Sequence, residues 1–196
     1  MKIIGILTAT VLTLVAAGCG GNSSTSAQFV ASATPASPGL VKLVPRSHSG
    51  SRVAIDVLLY GPEPGIDLFT YRFGIKIGDP SFASLVPQMQ YTQTALVAEG
   101  GQTIVIDVNG DADPSVVQVD IEKQGGGAGN GFTSSSVALI ELVFEVQGSG
   151  QTTLSLVGIG GNAPVLLDHA LAPIGGITFD PESAKLRGVT TGGGGY

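Results

Sequence analysis

Hydrophobic and polar residues alternate most regularly in two runs, residues 52–59 and 69–77, with the turn sequence GPEPG between them. One face of each run is apolar: Val53, Ile55, Val57 and Leu59 in the first, and Phe69, Tyr71, Phe73, Ile75 and Ile77 in the second. A period of two predicts half-buried antiparallel strands, and Pro with Gly at the break predicts a turn. The pattern therefore predicts a hairpin whose aromatic-rich second strand lies in the core, with Tyr71 facing inward.

Shorter strand-like segments follow the same rule. They comprise residues 40–45, 103–108, 116–123, 137–146, 152–157, 177–179 and 183–187, the last two predicted as a closing strand pair. No window shows apolar residues at the helical spacing of three and four. We count eight or nine short strands, which predict one all-β antiparallel domain, a sandwich or barrel. The glycine-rich stretch QGGGAGNG (124–131) has few side chains to pack and is expected to be a mobile loop.

The composition and charge of the chain argue against one class of function, the binding of nucleic acid. The chain has 196 residues, of which 12% are charged, with 30 Gly, 11 Pro and a formal net charge of −6. Contacts to nucleic-acid phosphates need clustered Lys and Arg, and the sequence has no such cluster. We therefore expect no nucleic-acid partner.

The N-terminus has the form of an export signal. Lys2 precedes an apolar run too short to span a membrane, and residues 1–18 are predicted to be a signal peptide. The following Ala16-Ala17-Gly18-Cys19 resembles the lipobox of bacterial lipoproteins. That resemblance implies diacylglycerol on Cys19, cleavage before it, and acylation of the new amino terminus by a fatty acid such as palmitate. The alternative is an ordinary secretory signal followed by an incidental cysteine.

The predicted anchor determines the expected location and domain order. Residues 19–38 are rich in Ser, Thr, Ala and Gly and are predicted to be a flexible tether after the lipidated Cys19. Residues 39–188 form the domain, and residues 189–196 a loose Gly-rich tail. We expect an extracytoplasmic protein of the cell envelope, held by lipid. Because Gly20 rather than Asp follows Cys19, the outer membrane is expected if the host has two membranes.

Two segments carry a resemblance to a known family. VAIDVLLYGPEPGIDLFTYRFGIKIGDPSF (53–82) and VALIELVFEVQGSGQTTLSL (137–156) resemble strand pairs of cohesin domains. The resemblance implies a jelly-roll β-sandwich and a protein partner, such as a dockerin module. Related sandwiches include carbohydrate-binding modules, so a role in extracellular polysaccharide breakdown is the alternative. Sugar platforms favour exposed Trp or Tyr, and this chain has no Trp.

One string of polar residues has the spacing of a calcium loop. Asp107, Asn109, Asp111 and Asp113 place oxygen atoms at alternate positions, as a hard cation requires. However, Ala112 stands at the position of the turn glycine and Gln118 at that of the bidentate acid. We interpret the string as a polar loop between strands, and we expect no metal or other cofactor.

Catalytic motifs are not evident. His48 and His169 are the only histidines and are far apart in sequence, and Ser134–Ser136 lack a nearby base. We therefore expect a binding protein rather than an enzyme. Three outward-facing apolar residues, Leu58, Val105 and Val143, could contribute to a contact patch, and their alternative role is ordinary packing.

Overall fold

The computed structural model describes residues 24–61, 66–86, 93, 95–109, 113–132 and 135–191. Within these ranges the chain forms fourteen strands joined by turns, and no helix. The predicted signal peptide, Cys19, Asp111 and residues 192–196 lie outside the described residues.

Seven strands form the larger sheet. They are β1 (Ser24–Val30), β5 (Thr70–Ile77), β7 (Thr103–Asn109), β8 (Val116–Gln124), β11 (Gly150–Val157), β12 (Val165–Leu167) and β14 (Ala184–Thr191). Their order is β1-β14-β11-β5-β8-β7, and β12 pairs with β5 beyond the end of β11. All of these pairings are antiparallel.

Five strands form the opposing sheet. They are β2 (Leu40–Ser49), β3 (Arg52–Leu59), β6 (Ala83–Leu85), β10 (Val137–Val146) and β13 (Thr178–Phe179). Their order is β13-β2-β3-β10-β6, and only the short pairing of β13 with β2 is parallel among these described strands. A further pair, β4 (Asp67–Leu68) with β9 (Asn130–Gly131), lies at one end.

The core lies between the two sheets and contains the residues that the alternation predicts. Tyr71, Phe73 and Phe144 are each fully buried. The rings of Tyr71 and Phe73 stack with centroids 6.1 Å apart, and the Tyr71 hydroxyl donates to the carbonyl of Leu139 at 2.6 Å. Burial raises the pKa of the Tyr71 phenol. Each large apolar side chain in this layer contributes about 1.5–3 kcal/mol to folding.

The predicted antiparallel jelly-roll β-sandwich is therefore confirmed, although with more strands than expected. The additional strands are two to three residues long, apart from β1, and such pieces carry too little alternation to be read from sequence. The predicted hairpin of residues 52–59 with 69–77 is wrong, because the chain crosses between the sheets there: β3 pairs with β2 and β10 in the smaller sheet, whereas β5 pairs with β8, β11 and β12 in the larger one. The predicted closing pair, 177–179 with 183–187, does not form either. Instead β13 pairs with β2 in the smaller sheet and β14 with β11 and β1 in the larger one.

The prediction of a flexible tether over residues 19–38 is wrong from Ser24 onward. Residues 24–30 form β1, which pairs with β14 along all seven of its residues. Ala27 is fully buried, and its N–H donates to the carbonyl of Gly50 at 2.7 Å. The edge of β14 supplies backbone partners, which stabilise a Ser- and Ala-rich segment without any apolar pattern. The same pairing extends β14 to Thr191, so the predicted tail does not begin at residue 189.

A buried polar cluster fixes the segment between β1 and β2. Asp180 is 5% exposed and accepts hydrogen bonds from the hydroxyls of Ser32 and Thr34. Lys42 is 6% exposed, and its ammonium donates to the carbonyls of the same two residues. We call Ser32, Thr34, Lys42 and Asp180 the polar clamp.

Candidate interaction surfaces

The sandwich has two ends with different composition. We call the first the hairpin end, formed by residues 49–51, 78–82, 113–115 and 147–150. The second is the loop end, formed by residues 66–68, 97–102, 125–131 and 166–174. These assignments follow from strand direction, since β5 begins at the loop end and finishes at the hairpin end.

Among the described residues other than glycine, one has a positive φ, and it lies at the loop end. Leu171 has φ 59°, the left-handed region, and it is 61% exposed. The turn that holds it is built by Asp168, whose carboxylate accepts N–H bonds from Ala170 and Ala172, both at 2.9 Å. The N–H of Leu171 donates to the Asp168 carbonyl at 3.0 Å. A large apolar residue in this conformation costs about 1–2 kcal/mol, and such outliers concentrate at functional sites.

His169 projects from the same turn and contacts a distant strand. Its Nδ1 forms a hydrogen bond with the carboxylate of Asp67 in β4, and the two side chains are 58% and 28% exposed. A shallow cleft of about 460 Å³ lies beside this pair. It is lined by Phe69, Arg72, Glu122, Leu167 and Leu171 among others. Apolar and charged side chains therefore share one surface at the loop end.

Sequence reasoning missed this surface for a physical reason. Asp67 and His169 are 102 residues apart, and no motif links them. The one local signal was Asp168 itself, since Asp side chains often bond to backbone N–H groups two positions on. His48, in contrast, lies near the hairpin end, paired with Val53, so the structure does not bring the two histidines together.

The glycine-rich stretch, expected to be mobile, makes defined contacts. Lys123 is 1% exposed, and its ammonium donates to the Ala128 carbonyl at 3.2 Å and to Asn130 Oδ1 at 3.3 Å. Gln102 also donates to the Ala128 carbonyl, at 3.2 Å, and the N–H of Val97 donates to Asn130 Oδ1 at 2.8 Å. The alternation in β8 continues inward to this lysine, whose ammonium is stabilised by hydrogen bonds to uncharged carbonyl oxygens.

The outer face of the larger sheet is charged. Arg72 in β5 donates from Nε to Asp120 at 2.8 Å and from a terminal nitrogen to Glu122 at 3.1 Å, both in β8. The hydrogen bond to Asp120 is the main reason that the pKa of Arg72 is raised. Exposed pairs of this kind contribute about 0–1 kcal/mol each, so they shape the surface more than they stabilise it. At the edge strand β7, Val105 is 43% exposed.

The three apolar residues proposed from sequence do not form one patch. Leu58 in β3 and Val143 in β10 lie on the outer face of the smaller sheet, both half-buried, whereas Val105 lies on the other sheet. On the smaller sheet they lie among ion pairs of Arg46 with Asp56 and Glu141. The structure thus favours ordinary packing for Leu58 and Val143.

The Asp-rich string is only partly described. Asp107 and Asn109 belong to β7, and Asp111 lies outside the described residues. The carboxylate of Asp113 accepts the N–H and hydroxyl of Ser115, at 2.9 and 2.7 Å, and these bonds lower its pKa. In the described part of the chain, no three His, Cys, Asp or Glu side chains form a group that could hold a metal. No helix among the same residues is long and apolar enough to cross a membrane.

Comparison with known proteins gives no match to a family model and none to a curated protein. Similar solved structures include a type II cohesin domain from the cellulosome of Acetivibrio cellulolyticus, with 14% identity, a TM-score of 0.47, and coverage of 83% of this chain and 94% of that chain. The seventh ScaB type I cohesin from Pseudobacteroides cellulosolvens has 12% identity and a TM-score of 0.42, with coverage of 68% of this chain and 80% of that chain. The second type II cohesin module from the adaptor ScaA scaffoldin of Acetivibrio cellulolyticus has 13% sequence identity and a TM-score of 0.44. The match covers 82% of this chain and 88% of that chain. All three are cohesin domains, the family that the sequence resembles, and at these identities the likeness concerns the fold alone.

Proposed function

We propose that this chain is a lipid-anchored envelope protein whose β-sandwich binds a protein partner through the loop end. The observation that carries this proposal is Leu171, a bulky apolar side chain held exposed in a strained conformation by the Asp168 turn. Folding gains nothing from displaying it there, because its side chain is not buried. Contact with another molecule would bury it and offset the strain.

The surroundings of Leu171 suit a protein ligand. Leu167 and Phe69 extend the apolar surface, and Arg72 and Glu122 provide charge at its margin. An apolar centre with a charged rim is the usual arrangement of a protein interface. The cohesin resemblance of residues 53–82 and 137–156 makes a dockerin-type module the first partner to test, with an envelope-assembly protein as the broader class.

A polysaccharide ligand has weaker support. Stacking against sugar rings needs exposed aromatic faces, and none of the Phe and Tyr rings in the described residues is exposed. Tyr91 and Tyr196 lie outside those residues. Glycan binding is therefore the competing outcome of the test.

The lipid anchor belongs to the same proposal. Cys19 would be diacylated and its new amino group acylated after removal of residues 1–18. Two or three acyl chains give stable membrane attachment, whereas one is marginal. Intact mass of the protein from its host, with and without a Cys19→Ala substitution, tests the modification directly.

Binding is best tested with the mature chain carrying Cys19→Ala, so that no lipid is required. We expect a purified dockerin module or envelope protein to bind it, and glycan arrays to show no signal. Leu171→Asp should weaken binding at least about 10-fold, or 1.4 kcal/mol, because it places a charge at the interface centre. Val189→Asp is the matched control, because Val189 is also apolar and exposed (42%) but lies on β14 towards the hairpin end. Glycan binding without a protein partner, or equal loss in both variants, would refute the proposed interface.

A further inference from the structure

The anchor is much closer to the domain than the sequence suggests. Because β1 begins at Ser24, only residues 20–23 separate it from Cys19. Five Cα-to-Cα steps extend at most about 18 Å. The lipid attachment point therefore lies within that distance of Ser24, whatever conformation the short linker adopts.

Ser24 lies at the hairpin end and projects beyond it. Ala27 pairs with Gly188, which pairs with Gly150 at the tip between β10 and β11. Ala27 also donates to the carbonyl of Gly50, at the tip between β2 and β3. Ala27 is thus level with both tips, and Ser24, three residues earlier in an extended strand, reaches about 10 Å further.

The loop end is out of reach of the anchor. Four residues of β11 lead from Gly150 to Leu154, which lies opposite Ile77. Seven residues of β5 then lead from Ile77 to Thr70, which pairs with β12 next to the Asp168 turn. With the projection of Ser24, the loop end is roughly 45 Å from Ser24 at about 3.3 Å per residue. An 18 Å linker cannot bring lipid and loop end together while β1 is paired.

We propose that the lipidated protein stands on the membrane with its hairpin end against the lipid headgroups and its loop end facing away. This orientation rests on the proposed anchor at Cys19. It makes the hairpin end a membrane-contact surface and presents Leu171 to a partner approaching from outside.

The chemistry of the hairpin end fits contact with headgroups without insertion. Its exposed residues are mainly small and polar, including Ser49, Gly50, Asp79, Ser81 and Ser149. Removal of residues 1–18 takes away Lys2, so the mature chain has 8 basic and 15 acidic residues from the 9 and 15 of the full chain. Anionic lipids repel such a chain, which favours standing on one end over lying flat.

Single-cysteine labelling tests the orientation. Cys19 is the only cysteine of the chain, and lipidation would remove its thiol, so an added cysteine is the one site for a maleimide fluorophore. Ser149→Cys places the label at the hairpin end, and Ala170→Cys places it in the Asp168 turn; both positions are exposed. The lipidated variants are reconstituted into vesicles of phosphatidylethanolamine and phosphatidylglycerol containing a headgroup spin-labelled lipid. We expect the Ser149→Cys label to be quenched severalfold more than the Ala170→Cys label.

Two further measurements separate the possible failures. Flotation of the protein with vesicles, and its intact mass, report whether the anchor exists; failure of either overturns both the anchor and the orientation. Normal flotation with equal or reversed quenching overturns the orientation alone, because a domain lying flat exposes both labels alike. A spacer of 20 Gly and Ser residues inserted after Gly21 adds about 25 Å of root-mean-square reach. It should keep flotation and reduce the difference in quenching, and an unchanged difference would show that the short linker does not set the orientation.

Discussion

Substitution of Asp180 tests whether the polar clamp holds β1 in the fold. The carboxylate accepts the hydroxyls of Ser32 and Thr34 and the N–H of Glu182 at 3.0 Å, and it lies near the buried Lys42. Hydrogen bonds to a charged group contribute about 1.5–3 kcal/mol each, but some of the released partners are half-exposed and can bind water. Removing one member of a buried charged cluster typically costs about 3–5 kcal/mol. We expect that loss for Asp180→Ala and about 1–2 kcal/mol for the isosteric Asp180→Asn.

The loss should depend on pH in a defined direction. Burial alone would raise the pKa of Asp180, but the hydrogen bonds from Ser32, Thr34 and the Glu182 N–H, together with the charge of Lys42, outweigh burial and hold the pKa below the ordinary 3.8. A lowered folded-state pKa means that the carboxylate stabilises the fold fully above the unfolded-state pKa. That contribution is lost as pH falls through the folded-state value. The deficit of Asp180→Asn should therefore be constant above about pH 5 and shrink as pH falls below 3.8.

The measurement is urea unfolding of the Cys19→Ala mature chain between pH 2.5 and 7, followed by tyrosine fluorescence, since the chain has no Trp. Hydrogen exchange of residues 24–30 reports release of β1 separately. Asp107→Asn, an exposed carboxylate on β7, is the matched control and should change stability by less than about 0.5 kcal/mol. Equal behaviour of the two variants, or an Asp180→Asn deficit that persists unchanged at pH 2.5, would refute the role assigned to the Asp180 carboxylate.

Three further predictions address separate features, and each is measured by chemical denaturation. Lys123→Met should change the free energy of unfolding by at most about 1 kcal/mol, because both acceptors of Lys123 keep another donor and an apolar side chain of similar length removes a buried charge. Lys123→Ala should cost about 2–4 kcal/mol because it leaves a cavity. Equal losses in the two variants would contradict this prediction. Gly158→Ala should cost more than about 2 kcal/mol, because an added Cβ overlaps the carbonyl oxygen of Asn162. Gly160 has open space around it, so Gly160→Ala should cost only the roughly 1–2 kcal/mol of its left-handed backbone. A larger loss for Gly160→Ala than for Gly158→Ala would contradict the packing argument. Leu171→Gly should leave stability unchanged or raise it by up to about 1 kcal/mol, because glycine tolerates the positive φ at this position. The same substitution should weaken partner binding. A loss of stability would mean that the Leu171 side chain supports the fold.

The sequence predicted those parts of the structure that side-chain burial determines. Val53 to Leu59 and Tyr71 to Ile77 alternate because one face packs in the core, and the structure buries that face. β1 was missed because its stability comes from backbone pairing with β14, which any sequence can provide. The loop-end surface was missed because Asp67 and His169 meet only after the strands are paired. The burial of Lys123 was not predicted, because nothing local in the sequence indicated the carbonyl groups that surround its ammonium.

The pairing of β1 with β14 also determines how the molecule responds to force. A partner held at the loop end and a lipid held at Cys19 would pull on opposite ends of the sandwich. Tension then enters at Ser24 along the axis of β1, and the seven residue pairs of the β1–β14 ladder bear the load together in shear. Pulling perpendicular to the strands would instead open the pairs one at a time. With the proposed anchor at Cys19, this arrangement would make the edge strand β1 the mechanical coupling between membrane and domain, with the polar clamp beyond Val30 as the last attachment to yield.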